Sequence, residues 1–577
     1  MSAAPEIQLP PEHDDVENQR ADLKVDEKTA ASVYNDSTAD RQTKDQLGPD
    51  DDIVWHYLTF ETDLPSPAYL SLPTSNSAAR QTPPPECPNL TQYQSPFEWS
   101  EKRKSILTWI SVTATLFTAY TAGSYSSGID QMRELWDISD VVAQTGITIF
   151  TCGFAIAPMI LAPFSEINGR RPMFVVTGIL FVLFQIVCAV TPTFAGMLVA
   201  RFLVGCAGST FSTMVGGVVS DIYHAHDRNT AMALFSGAAL SGTGLGPLVS
   251  GFIAQYTTWR WIFYLQVIVD GVIMVFIVFF FKETRGSVLL SRKAKALNQW
   301  YDALESQNYF GVILPTTSDP PASKPSPQRI RWKVRSDEDR TTLSKAITLS
   351  LYRPFHLLLT EPVVFFFSLW ISFSWAILYL LFSAIPLIFT TNHAFTLASA
   401  DAIFTAVTLA AILSTLLSIS QDKLARKYLT GKHRAFLNTP EGRLYFSCIQ
   451  SALLPIGCFW FAWTQFPSFP WPVPALAIAC ATMGIFSIYL AVFNYLADTY
   501  HIYASSALAA QSFCRNMLGG AFPLFTRQMF LKMSFQGAGS FLGGVAALLT
   551  VVPWVLVFWG PRIRARSRFA SGSGGEK

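Results

Sequence analysis

The run Trp261-Ile262-Phe263-Tyr264-Leu265-Gln266-Val267-Ile268-Val269-Asp270-Gly271-Val272-Ile273-Met274-Val275-Phe276-Ile277-Val278-Phe279-Phe280-Phe281 carries a single charge, and Lys282-Glu283-Thr284-Arg285 closes it abruptly. A helix of about 20 residues crosses a hydrocarbon core roughly 30 Å thick, so 261–281 reads as a membrane span. Five comparable runs precede it, at 106–128, 141–163, 173–191, 196–219 and 231–256. A hydrophilic stretch then extends from Lys282 to about Thr360 and carries Lys293, Lys295, Arg329, Arg331, Lys333 and Arg335. Further spans begin near Pro362, Ala400, Leu444, Trp471, Tyr503 and Gly539. The layout is six spans, a long loop and six spans: an all-α membrane protein with 12 transmembrane helices in two six-helix bundles.

Composition agrees. The chain of 577 residues is 50% hydrophobic and 14% charged, where soluble domains carry about a quarter charged residues. The 45 Phe and 15 Trp suit a lipid solvent, and the net charge of +2 averages over a strongly polarised chain. The eight cysteines contain no CxxC pair, and seven lie in apolar segments, so they read as free thiols packing as small hydrophobes. No Walker A or HExxH pattern occurs. The expectation is a protein that is not an enzyme, has no cofactor or metal, and does not bind nucleic acid.

Residues 1–100 are acidic and rich in Pro, Ser and Asp, as in Asp50-Asp51-Asp52 and Pro83-Pro84-Pro85. They lack the basic start and short apolar run of a signal peptide, and read as a disordered tail. Basic residues set the orientation. Connections after even-numbered spans hold Arg170, Arg171, Arg228, the central loop, Lys423, Arg426, Lys427, Lys432, Arg434 and Arg443, and the last tail adds Arg562, Arg564, Arg566 and Arg568. Connections after odd-numbered spans carry mainly Arg133, Arg260 and Lys532. Both termini are expected in the cytoplasm. The domains expected are the tail 1–100, a bundle 101–285, a cytoplasmic loop 286–360, a bundle 361–562 and a basic tail 563–577.

Three motifs carry mechanism. The connection Ala162-Pro163-Phe164-Ser165-Glu166-Ile167-Asn168-Gly169-Arg170-Arg171-Pro172 makes a tight turn at Gly169, where positive φ is tolerated, and sets Glu166 beside two arginines able to form contacts that change between states. A plain positive-inside anchor is the alternative. It resembles the major facilitator signature G-x-L-a-D-R-x-G-R-R, with Ala162 for Gly, Glu166 for Asp and Ile167 for the first Arg. Arg201-Phe202-Leu203-Val204-Gly205 resembles the R-x-x-x-G element of that family, whose arginine is implicated in proton coupling. An arginine among apolar neighbours should face the bundle interior; the alternative is snorkelling to the outer headgroups. Ser241-Gly242-Thr243-Gly244-Leu245-Gly246-Pro247-Leu248-Val249-Ser250-Gly251 resembles the antiporter motif G-x-x-x-G-P-x-x-G-G, which marks exporters. Gly242, Gly246, Pro247, Ser250 and Gly251 are expected on one smooth face, and a generic packing seam is the alternative.

Further stretches extend the likeness: Ser220-Asp221-Ile222-Tyr223, Trp259-Arg260-Trp261-Ile262-Phe263, Glu283-Thr284-Arg285-Gly286, Pro440-Glu441-Gly442-Arg443, Tyr495-Leu496-Ala497-Asp498-Thr499-Tyr500 and Ala521-Phe522-Pro523-Leu524-Phe525. Together they resemble the fungal drug:proton antiporters of the twelve-span branch. Tyr57-Leu58-Thr59-Phe60 and Pro96-Phe97-Glu98-Trp99-Ser100 resemble the fluconazole and benomyl resistance subgroup. The resemblance implies a major facilitator fold, a monomer in the lipid bilayer, and export of amphipathic small molecules such as antifungals, toxins or secondary metabolites in exchange for protons. The plasma membrane is the expected location, with a vacuolar membrane as alternative. Import of a nutrient or polyamine with protons, or a non-transporting sensor with this fold, are the competing readings.

Charges inside spans are functional candidates. Asp270, Arg201 and Asp221 stand for proton coupling. Asp221 and Asp498, at helix ends, are also expected to meet the Arg170 and Arg171 region, or simply to be solvated. Tyr120, Gln144, Gln266, Trp375, Tyr379, Asn494 and Arg515 combine rings or hydrogen-bonding groups and are the candidates for lining a substrate cavity.

Overall fold

The structure is a computed structural model that describes residues 52–67, 83–224, 227–307, 309–313, 328–338, 343–428, 439–500, 503–567 and 569–570. Asp50, Asp51, Lys432, Arg434 and Arg568 lie outside the described residues, as do the side chains of Arg426 and Arg443. The chain divides into a small unit, 1–89 with 294–333, and a membrane unit, 90–293 with 334–577.

Among the described residues of the membrane unit, eleven helical stretches are long and apolar enough to cross a bilayer. They are, in order, Glu101–Trp136, Asp140–Asn168, Arg170–Val190, Phe194–Ile222, Arg228–Tyr256, Arg260–Phe280, Pro362–His393, Leu397–Ala425, Leu444–Thr464, Pro472–Tyr500 and Phe535–Arg566. One more helix, Ala504–Met533, has 30 residues and sits eleventh in the layout. Its buried side carries Gln511, Ser512, Arg515 and Asn516, which lowers its apolarity. The fold is all-α, with twelve spans in two bundles of six.

Helix starts explain the spacing. Ser139, Thr193, Thr396 and Ser534 cap the second, fourth, eighth and twelfth spans, each accepting a backbone N–H with its hydroxyl. All four lie on the face opposite the start of the first span, hereafter the far face; the other is the terminal face. Burial grades the spans: 83% of the apolar window of the seventh is buried, against 33% of the sixth. The sixth turns Val275, Phe276, Phe279 and Phe280 outward, a side built for lipid.

The turn between the second and third spans is held from the sixth. Gly169 has φ +101°, and a Cβ there would collide with the Glu283 carboxylate. That carboxylate accepts Arg170 N (2.8 Å) and Arg171 N (3.3 Å) at the start of the third span, and Thr284 N and Arg285 N from its own turn. An anion at a helix N-terminus satisfies donors that have no partner within the helix. The Arg170 side chain, buried, binds Asp221 (3.2 Å) and Ser165 (2.7 Å), while Arg285 reaches Asp221 at 3.4 Å. Arg171 donates to the Val278 carbonyl.

The small unit differs from the composition reading, which leaves 1–100 without order. Val54–Tyr57 forms a strand parallel to Ile330–Lys333, and Ser66–Pro67 pairs antiparallel with Val312–Ile313. Leu297, Tyr301 and Leu304, spaced for one helix face, are buried with Leu58, Ile330 and Trp332. Asn298 grips the Trp332 backbone through both its N–H and its carbonyl, each at 2.8 Å. Arg331 binds Asp302 (2.7 Å) and Glu305 (2.8 Å), and Arg329 binds Glu305 (2.8 Å). The segments are individually too polar to order themselves, so their pairing was not visible to a composition argument.

Burial pushes the Glu305 carboxyl up, but the hydrogen bonds and charges of Arg329 and Arg331 outweigh it and hold it below its ordinary value. The stabilisation is therefore complete above the unfolded value, about pH 4.3 for glutamate, and drains as pH falls through the folded value. Hydrogen exchange at the Ile330–Lys333 amides should stay slow from neutral pH down to about 5 and quicken below about 4, after correction for intrinsic rates. In the membrane unit, Gly169→Ala should cost about 1–3 kcal/mol and lower the melting temperature in detergent. Gly271→Ala, with nothing within 4 Å of the added Cβ, should leave it unchanged or raise it.

Candidate functional site

The two bundles meet where the fifth and eighth spans run antiparallel. Gly237, Gly244 and Gly251 recur at a spacing of seven residues, and each faces a residue of the eighth span with the same spacing: Thr415, Thr408 and Asp401. A Cβ at Gly244 would fall 2.6 Å from Thr408 Oγ1, and one at Gly251 would fall 2.5 Å from Asp401 Cβ. Gly242 and Gly246 point instead at the first span of their own bundle, where a Cβ at Gly246 would lie 2.5 Å from the Tyr120 carbonyl. Pro247 approaches Gly123 beside them. The expectation of one smooth face is thus corrected: five residues of helix turn Gly251 well away from Gly246, and the motif serves two partners.

On the far face the seam is closed. Ser127 donates to Asp401 Oδ2 at 2.6 Å, and Ala398 N donates to Gln255 at 2.7 Å, each joining one bundle to the other. Thr148 of the second span donates to the Gly520 carbonyl of the eleventh at 2.8 Å. At the terminal face a cavity of about 340 Å³ lies between the ends of the second and eleventh spans and the helix Leu343–Thr360, lined by Pro158, Ala162, Glu166, Arg285, Arg353, Ser505 and Ala509 among others. Glu166 faces this cavity, and among the described residues no hydrogen bond joins it to Arg170 or Arg171; the acidic partners there are Asp221 and Glu283. Asp498 does not meet those arginines either. It binds Arg228 of the fifth span at 3.1 Å, and Asn494 donates to Asn229 at 3.3 Å, so both cross between the bundles.

Deep in the unit lie two arginines. Arg201 is fully buried, which removes the snorkelling alternative. Its Nε donates to the Gly146 carbonyl (3.3 Å) and Nη1 to the Thr121 carbonyl (3.2 Å), and the guanidinium lies 4.8 Å from the Tyr125 ring and 4.5 Å from the Phe150 ring. Thr121 continues through Gln185 to Gln266 and Ser124, with contacts of 3.2, 2.8 and 2.6 Å. Gly205, one turn below Arg201, lets the Phe150 backbone approach. Arg515 is 1% exposed and boxed by Trp375 (4.6 Å), Tyr489 (5.0 Å) and Phe493 (6.0 Å), with Trp375 and Tyr489 stacked. Neither arginine forms an ion pair among the described residues. A cation–π contact is worth about 0.5–2 kcal/mol, against several kcal/mol for removing an ion from water, so the rings offset only part of the cost.

The structure thus brings Trp375, Tyr379 and Arg515 together, and links Gln266 to Arg201 by a polar chain. Tyr120 stands apart, its hydroxyl 3.4 Å from Ser250 and within electrostatic reach of Asp270. Asp270 is buried on the sixth span one turn beyond Gln266, Gln144 is buried on the second, and Asn494 belongs to the terminal-face contact. Sequence reasoning missed Asp401, Ser127, Gln185, Glu283, Tyr489 and Gln511. Asp401 falls at the edge of a span expected to begin near Ala400, where sequence alone does not set it apart from a charge at a helix end. Gln185, a lone amide in an apolar run, was findable by the rule that singled out Asp270.

Residues 111–523 match the profile of the Major Facilitator Superfamily. The chain is 32% identical to the efflux pump FUB11 of Gibberella moniliformis over 79% of its own length and 73% of that protein. It is 32% identical to the major facilitator superfamily multidrug transporter mdrA of Aspergillus fumigatus, covering 83% of this chain and 75% of that one. Among solved structures, the xylose transporter XylE of E. coli superposes with a TM-score of 0.52 at 14% identity, over 78% of this chain and 98% of that one. With two six-span bundles packed against each other and a family match over most of its length, the chain belongs to the major facilitator superfamily and is a multi-pass membrane transporter of small molecules.

Proposed function

We propose that this transporter exports small amphipathic organic compounds by alternating access, in exchange for protons moving inward. The observation that carries the reading is the fifth–eighth seam, closed on the far face while a cavity remains between the second and eleventh spans on the terminal face. The fungal relatives named as an efflux pump and a multidrug transporter support the outward direction. The basic connections support a cytoplasmic terminal face, with the protein a monomer in the plasma membrane. The working parts are the bundles 101–285 and 361–562, the loop 286–360 and the tails 1–100 and 563–577.

Asp401 and Asp270 are the proposed proton carriers. Asp401 is buried in the closed seam with Ser127 as its hydrogen-bond donor. A charged carboxylate there would cost several kcal/mol, so closure on the outer side is coupled to taking a proton from outside. Inward transfer then requires that the proton leave Asp401 toward the cytoplasmic side, with Asp270 as the proposed next carrier, before the outer side reopens. Arg228–Asp498 would act on the cytoplasmic side, breaking and reforming as the cavity opens. Arg170, Arg171, Gly169, Glu283 and Asp221 would keep their bundle rigid while it moves.

Cells expressing the chain should accumulate less of a fluorescent amphipathic substrate than controls, and a protonophore should erase the difference. Raised accumulation would instead mean import. At matched surface expression, Asp401→Asn should stop transport, because a side chain that never charges leaves the outer side closed. Gly244→Leu should also abolish transport while leaving the protein folded, because it wedges the seam between bundles. Gly246→Leu should reduce the amount of folded protein, because it overpacks one bundle internally, a change that costs about 1–3 kcal/mol. Equal behaviour of the two glycine variants would contradict the division of the motif.

A further inference from the structure

Buried hydrogen-bonding groups without partners accumulate around Arg515, and the guanidinium is the charged one among them. Its Nη2 has a long contact, 3.5 Å, to Ser512 Oγ, while Nε and Nη1 are buried with no hydrogen-bond partner. Gln511, four residues and about one helical turn earlier, has both its amide nitrogen and its amide oxygen buried without partners, and so is the hydroxyl of Tyr489, whose ring lies 5.0 Å from the guanidinium. In the other bundle Arg201 Nη2 is likewise buried without an acceptor. Tyr379 of the seventh span, 4% exposed, lies within electrostatic reach of both guanidiniums. One cation from each bundle therefore bears on the same phenol.

The carboxylates are elsewhere. Asp401 is bonded to Ser127, Asp498 to Arg228 and Asp221 to Arg170, and Asp270 forms no ion pair with either arginine. Aromatic faces stabilise a guanidinium but leave its N–H groups, which lie in the guanidinium plane, unsatisfied. Such a group is completed by an acceptor bearing negative charge, and a carboxylate matches the arginine fork with two parallel bonds. Trp375, Tyr379 and Phe493 supply flat apolar surface beside it.

We infer that the cargo class is an organic anion: an aromatic carboxylate whose oxygens bind Arg515 and whose ring packs on the Trp375–Tyr379–Phe493 wall. This deepens the export reading by naming a charge on the substrate, and it disfavours cationic amphiphiles, which meet two uncompensated positive charges. Binding and transport are separable, so the inference stands or falls apart from the direction of transport.

The test uses the purified full-length chain in detergent and follows quenching of tryptophan fluorescence, to which Trp375 contributes. The probes are naphthalene-2-carboxylate, naphthalene-2-carboxamide and 2-naphthylmethylamine, three ligands of one shape with charges of minus one, zero and plus one. The carboxylate should bind at least tenfold more tightly than the amide, and the amine most weakly. Arg515→Gln should erase the carboxylate's advantage and leave amide affinity within twofold, while Arg515→Lys should restore part of it. Equal affinities for carboxylate and amide, or no saturable carboxylate binding at millimolar concentration, overturn the inference. So does an Arg515→Gln variant that folds and loses all three ligands alike. If that variant does not fold, the wild-type ranking of the three probes decides. Export of any probe from cells is scored separately and tests only the transport reading.

Discussion

The approach of the fifth and eighth spans at Gly237, Gly244 and Gly251 is the constraint on which the rest of the membrane unit depends. Lipid gives no hydrophobic drive for one apolar helix to associate with another, so contact must come from close van der Waals packing. A row of glycines facing Thr415, Thr408 and Asp401 supplies it along the whole length of both spans. Because the row repeats every seven residues on both helices, the contact cannot be loosened at one point without disturbing the next. Rigid-body rocking about such a seam opens one end as it closes the other.

Charge is distributed in keeping with that division. Contacts that stay within a bundle are networks with several partners, such as Glu283 with four backbone N–H groups and Asp221 with Arg170 and Arg285. Charged groups that cross between bundles stand at the two ends: Arg228 with Asp498 on one face, Ser127 with Asp401 on the other. Arg201 and Arg515 belong to neither group. The charge of Arg201 is offset by two rings and two carbonyls, and that of Arg515 by rings.

Much of the fold was legible. Apolar length and charge placement identified the spans, because lipid imposes the same demand on every residue that faces it. Arg201 was located for the same reason: an arginine in an apolar run has few places to go, and it is fully buried. Ala504–Met533 was recognised as a span despite its polar content because the layout required a helix there, and its polar residues turned out to be its buried side. Asp401 was overlooked because it sits where span and connection meet, and a charge there is ordinary until a second bundle covers it.

Sequence by itself determined which segments enter the membrane, where helices begin, and which residue types were too costly to leave facing lipid. These are local questions, answered by the free energy of one helix in one solvent. Tertiary structure alone decided that the antiporter motif divides between two neighbours, that Arg170 takes Asp221 rather than Glu166, and that Trp375, Tyr489 and Phe493 gather around Arg515. It likewise paired Val54–Tyr57 with Ile330–Lys333 across a long separation in the chain. Such pairings depend on the rotation and register of one helix or strand against another. A linear pattern restricts the choice of partner to a face, and only packing selects which neighbour that face meets.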